Sequence, residues 1–294
     1  MSLNIQNLKI PDAMKRNIFN IICTGMIISM LIISCKDDEE IDTDTQSSID
    51  NSYAEDAVNQ AFSTVNHHGI NEEGIKSGSA TQPAITITPA PPDTTFPKTM
   101  TIDFGTDGIV GLDGLNRKGK IIAEFSGHWR NAEPNTSATI TFENFSVNNI
   151  QRSGTYTVTV NSPNAYGGPS HSIEVENGKL VFSNGDEISW NSTKTIDWIE
   201  GFPTVSTIDT AFTNDVFKIT GSSSGVNRRG LAYNMQITDS LKQDMSCTNK
   251  IKVTEGSYQI TPEGKKTRTV NFGDGTCDNM IKVSVEGLSF DVSL

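Results

Sequence analysis

TYTVTV, Thr155 to Val160, alternates strictly. Tyr156, Val158 and Val160 are large or apolar, and Thr155, Thr157 and Thr159 between them are polar. Successive side chains of a strand point to opposite faces, so a period of two gives one dry face and one wet face. A helix would scatter the same residues around its surface. Working outward, the pattern recurs. Ile173 and Val175 alternate with Ser172, Glu174 and Glu176. Val283 and Val285 alternate with Lys282, Ser284 and Glu286, and Phe290, Val292 and Leu294 with Ser289, Asp291 and Ser293. Ile85 and Ile87, then Met100, Ile102 and Phe104, flank the proline-rich PAPPDTTFPK. One wetted face is the mark of antiparallel sheet.

Turn signals separate these runs: Asn-Gly at 177–178 and 184–185, Asp-Gly at 107–108, 113–114 and 274–275, and Pro-Glu-Gly at 262–264. The expectation is all-β: an antiparallel meander of about a dozen strands over 84–294, with short loops. A sandwich, a folded-over sheet and an open barrel all satisfy the pattern. Ahead of it, Ala54, Ala57, Val58, Ala61, Phe62 and Val65 fall at helical spacing, which predicts one short helix from Tyr53 to about Val65, capped by Asp50 or Ser52. HHGINEEGIKSGSATQP, 67–83, then reads as a loop, so helix and loop together occupy 51–83.

The N-terminus says where the chain resides. Lys15 and Arg16 precede seventeen almost uncharged residues, Asn17 to Ile33, and then comes SCKDDEE. A positive start, an apolar run and a small residue before the break make a secretory signal over 1–34. Met14 opens MKRNIF like a signal peptide and reads as the true start. Ile32-Ile33-Ser34-Cys35 resembles a lipobox, which implies cleavage before Cys35 and acylation of its thiol. Two acyl chains suffice for stable anchoring. Removing 1–34 takes away Lys9, Lys15 and Arg16 against Asp12 alone, leaving 20 bases against 34 acids and a net charge of −14. That balance argues against nucleic acid and anionic membrane surfaces as partners. Residues 35–50 read as a lipidated acidic tether.

Lys36-Asp37-Asp38 is similar to the lysine-then-two-acids export signal of Bacteroidota surface lipoproteins. With the lipobox, DNSYAEDAVNQAF, TIDFGT, NRKGKI, ISWNSTKTIDWIEG, ITGSSSGVNRRG and TPEGKKTRTVNFGDGTCDN, the chain resembles an uncharacterised family of such lipoproteins over most of its mature length. The resemblance implies an outer-membrane, outward-facing location and brings no activity or functional residues. It also implies O-glycosylation at Asp-Ser/Thr motifs: Thr94, Thr210 and Ser240. Two internal echoes, GLDGLNRKGK with GSSSGVNRRG and TIDFGTDG with TVNFGDGT, raise two related halves, 84–200 and 213–294; similar hairpins alone give the same echoes.

Signals for chemistry are sparse. There are four histidines, none in a nucleophile elbow, and Gly-x-Ser-x-Gly is absent. His67-His68 alone makes no metal site, and Asp274 to Asn279 lacks calcium-loop spacing, so neither metal nor cofactor is expected. Trp190 and Trp198, eight apart, share a strand face; they either stack on sugar rings or fill the core, the commoner fate of large aromatics. Cys247 and Cys277 are the thiols left after cleavage and acylation, and export permits a disulfide. A hairpin centred near Glu263-Gly264, with opposite residues summing to about 527, sets Cys247 opposite Met280, three residues from Cys277. Two readings of function follow: non-enzymatic binding, adhesion or envelope scaffolding, with an unidentified protein or glycan ligand; or a glycan-binding accessory protein or glycoside hydrolase. An exposed aromatic cluster with converging carboxylates would mark the second.

Overall fold

The structure, a computed structural model, describes residues 42, 44–70, 82–111, 113–129, 133–201, 214–247 and 252–293. The signal segment, Cys35, Lys36, Asp37, Asp38 and Thr210 lie outside the described residues. Among the described residues one helix, α1 (Gln46–Ile70), precedes fourteen strands. These are β1 (Ala84–Thr88), β2 (Lys98–Asp103), β3 (Ile109–Val110), β4 (Asn116–Phe125), β5 (Ser137–Val147), β6 (Ile150–Val160) and β7 (Ser170–Val181). Then come β8 (Glu187–Glu200), β9 (Val216–Val226), β10 (Ala232–Asp244), β11 (Val253–Pro262), β12 (Arg268–Asp274), β13 (Met280–Val285) and β14 (Leu288–Ser293). All belong to one antiparallel sheet in sequence order, with β3 pairing only the start of β4. The all-β meander is as expected, with more strands than a dozen.

The alternation of TYTVTV is a burial pattern. Tyr156, Val158 and Val160 of β6 are buried, as are Ile173 and Val175 of β7 opposite them. The Asn-Gly at 177–178, read as a turn, is instead a bulge inside β7: pairing with β8 shifts between Val175 and Gly178, and Asn177 takes φ 53°. An unpaired residue in the left-handed region is what a bulge needs, and asparagine tolerates it. Two-residue hairpins occur at Asn148-Asn149, both with positive φ, and at Glu286-Gly287.

The sheet curls around α1. Polar side chains of α1 bond to β6, β9 and β11, and Phe62 packs its ring on Phe217 of β9 and on His171 of β7. Asp42 and Asp44, just ahead of α1, hold Arg268 of β12. Strands β6 and β12 are six ladders apart, roughly 29 Å in a flat sheet, while a helix is only ~10 Å across. No flat sheet could serve all these contacts at once. No ladder joins β1 to β14, so the curl stays open. The stripe Ala54, Ala57, Val58, Ala61, Phe62 and Val65 is buried, as its spacing required. The helix is longer than expected at both ends, and its cap is Asp44, whose Oδ1 accepts from Gln46 N–H at 2.9 Å. Asp50 and Ser52 are engaged inside the molecule instead.

Candidate functional site

Two kinds of polar site stand out, one sealed and one open. The sealed one lies between α1 and the inner face of the sheet. Glu55 pairs with Lys194 of β8, and both side chains are cut off from water. Asp50 takes Arg228 at 2.6 Å, and Arg228 also lies over the Phe182 ring. Arg152 of β6 donates to Gln60 Oε1 at 2.9 Å, and Gln60 in turn donates to Asp56. Ser52 Oγ sits 3.2 Å from the Tyr258 hydroxyl, which donates to Ser48 O at 2.9 Å. Burial pulls the Lys194 ammonium down to about 7 and pushes Asp56 up, Arg152 opposing the latter. Burial likewise lowers His171 to about 4 and raises Asp215 to about 7, with a hydrogen bond from Trp198 opposing the rise. Shifted groups often mark catalysis. Here they face packed side chains: Lys194 meets Glu55, and His171 lies between the rings of Phe62 and Trp129. They secure α1.

The open site lies on the outward face. Two hollows, about 660 and about 480 Å³, share Asn191, Ser224 and Asn234. Their floor is β9, where GSSSG, 221–225, offers only short side chains. Longer ones rise on either side: Glu174 and Glu176 of β7, Gln236 of β10 and Gln259 of β11. Register makes two rows. Asn191, Ser224, Asn234 and Thr261 stand opposite one another in turn, as do Glu174, Thr193, Ser222, Gln236 and Gln259. Every member either donates or accepts hydrogen bonds, and most do both. No histidine or cysteine lines the larger hollow, so its serines have no imidazole beside them. Glu174 and Glu176 are exposed to solvent.

The residues singled out from the sequence do not gather at this site. Trp190 and Trp198 share a face of β8, but it is the inner one; they are 2% and 6% exposed and belong to the core, so the stacking role falls and the core alternative stands. Thr94 is exposed in the β1–β2 connection, where Asp93 accepts from Thr95 N–H at 2.7 Å. Ser240 is half-buried within β10. His67 and His68 meet edge to face at the end of α1, and among the described residues no three His, Cys, Asp or Glu side chains could hold a metal. Asp274 and Asp278 accept bonds from Thr276 and Met280 in the local turn. Cys247 and Cys277 are joined, with Cα atoms 5.4 Å apart. They do not meet through the hairpin ladder. Register sums to 528 there, and Cys247 precedes β11 altogether; the bond ties the 245–252 connection to the 275–279 connection. No family model, curated protein or solved structure matches the chain.

Proposed function

We propose that the mature chain is a surface-displayed outer-membrane lipoprotein, anchored through Cys35 and exported through Lys36, Asp37 and Asp38, whose body binds a partner without catalysis. The observation that carries the binding role is the polar trough over β9: a shaped, solvent-open surface of paired donors and acceptors with no imidazole beside its serines. The glycan-processing reading required exposed rings beside converging carboxylates. All three tryptophans, Trp129, Trp190 and Trp198, are buried instead.

Display and binding are tested separately. Cys35→Ala should leave unprocessed precursor and abolish acyl labelling. Protease added to intact cells should remove the wild type and spare a variant with Lys36, Asp37 and Asp38 all changed to alanine. For the trough, Ser222→Trp and Ser224→Trp should abolish capture of cell-surface material and any signal on a glycan array, with the melting temperature unchanged. Capture surviving both substitutions would move binding elsewhere, and turnover of any arrayed glycan would overturn the non-enzymatic role.

A further inference from the structure

We infer that one end of the body, carrying the turns 148–149, 182–186, 227–231, 263–267 and 286–287, faces the lipid surface that holds the chain, an inference that rests on the lipid anchor at Cys35 proposed above. In a meander the connections alternate between two ends of the sheet. The turns just named are two to five residues long, and the same end carries the 104–115 connection, which holds β3. Those at the other end, 89–97, 126–136, 161–169, 201–215, 245–252 and 275–279, run from five to fifteen.

The chain enters the body at the tight-turn end. Asp42 grips Arg268 at 2.6 Å, at the first residue of β12; Asp44 takes Arg229 at 3.1 Å, in the 227–231 turn; and Ser47 accepts from Asn227 at 2.8 Å. Six residues, 36–41, separate Cys35 from Asp42. Fully extended, that span reaches ~25 Å at most. The 25-residue helix α1 is itself about 37 Å long and runs from the tight-turn end toward the other. So the tight-turn end stays within one short tether of the lipid, and the long connections stand beyond reach of it in an upright body.

The surface chemistry agrees independently. Among the described residues six large apolar side chains are exposed: Tyr53, Val110, Tyr166, Val226, Met280 and Leu288. Four of them, Tyr53, Val110, Val226 and Leu288, sit at the tight-turn end by their place in α1, β3, β9 and β14. Exposed Arg229, Lys265 and Lys266 lie in the turns beside them. Apolar tips with long basic stems suit a lipid–water boundary, where the stem lies along apolar surface and the charge reaches water. Asp44 neutralises Arg229, and Glu286 lies 3.2 Å from Lys266, so the orientation does not need anionic lipid.

The test uses the acylated full chain in zwitterionic phosphatidylcholine vesicles. With Cys35 acylated and Cys247 bonded to Cys277, one introduced cysteine is the single free thiol of the mature chain. Lys265→Cys and Ser183→Cys mark the tight-turn end, and Thr94→Cys and Tyr166→Cys the other; all four positions are exposed. A fluorophore on each is quenched by nitroxide-headgroup lipid. Quenching at Lys265→Cys and Ser183→Cys at least twofold stronger than at the other pair is expected. Equal or reversed quenching on vesicles that carry the protein through flotation overturns the orientation alone. Protein that fails to float overturns the anchor, and the orientation with it.

Discussion

Lys194 has no route to water, and its ammonium is held by one carboxylate, Glu55, from the far side of the helix–sheet boundary. Removing one member of such a pair strands the other, whereas removing both is often tolerated. Lys194→Met should therefore lower stability by about 3–5 kcal/mol, and Glu55→Leu combined with Lys194→Met should recover most of it. A double-mutant cycle by urea denaturation checks this; a double variant no better than Lys194→Met would refute it. Two other buried groups set opposite pH slopes. Asp215 is raised from 3.8 to about 7, so the folded state keeps a proton that the unfolded chain has released, and its contribution is lost as pH rises from about 4 to 7. His171 is lowered from 6.5 to about 4, so its contribution is present above 6.5 and lost as pH falls toward 4. The two offset each other. His171→Phe should expose the slope due to Asp215. Unfolding midpoints unchanged between pH 4 and 8 in that variant would exclude this assignment. None of these pairings is legible in the sequence. Lys194 and Glu55 are 139 residues apart, and nothing in KTIDW or YAEDA marks one as the partner of the other.

At the level of elements, periodicity speaks where burial is apolar and is silent where it is polar. The stripe of α1 was readable from Ala54 to Val65. Its first two turns were not, because Ser47, Asp50, Asn51 and Ser52 are buried through side-chain hydrogen bonds and carry no apolar period. The last turn reads as loop through Gly69, yet that glycine is packed under Trp129, whose indole donates to Asn66. Of the two sequence echoes, one is structural. Asp103-Phe104-Gly105 and Asn271-Phe272-Gly273 each bury the phenylalanine and bond the preceding side chain to the glycine N–H at 2.8 Å. The other is not: Asn116 to Gly119 lie in β4, whereas Asn227 to Gly230 form a turn. A cross-strand row shows what glycine does in this sheet. Gly178, Trp190, Gly225 and Tyr233 stand side by side on β7 to β10, each ring lying on a glycine backbone. A Cβ at 178 would sit 2.6 Å from the Trp190 ring, and one at 225 would sit 2.6 Å from the Tyr233 hydroxyl and against Ser189 O. Gly178→Ala and Gly225→Ala should each cost about 1–3 kcal/mol by overpacking. Gly127→Ala, which meets only Thr136 at 3.4 Å, should be nearly neutral. Thermal melts of the three variants decide it, and equal midpoints for all three would show that the rings move aside freely.

For the whole molecule, the strands were legible and their closure was not. Alternation fixes which face of each strand is dry, but the curl of fourteen strands is set by what fills the interior. Here that filler is a helix held by charge as well as by apolar contact, and its sheet partners lie up to 210 residues away. The trough over β9 escaped for a related reason: its rows exist only once five strands are in register. The disulfide shows the same limit. Extending the hairpin ladder carried the two cysteines near each other but along the wrong path. The bond lies outside the ladder, between two connections at the long-loop end, and closes a separation of 30 residues that includes β11 and β12. Other contacts already hold its surroundings. Cys247 N–H donates to Asp244 O, Lys252 Nζ donates to Cys247 O at 2.7 Å, and Gly275 N–H donates to Thr254 O. Reduction should therefore leave the fold standing, because neither connection depends on the sulfurs alone for its place. What reduction restores is freedom in the unfolded chain, worth roughly 3–4 kcal/mol for a loop of this length in the chain-entropy account. Urea midpoints should fall accordingly in the reduced protein and in a Cys247→Ser/Cys277→Ser variant, with circular dichroism of the folded state unchanged. Alkylating the unfolded, unreduced mature chain should add no label at either position. Two labels would sink the bond, and a reduced protein that loses its sheet signal would show that the connections at this end are held by the bond and not by the hydrogen bonds around it.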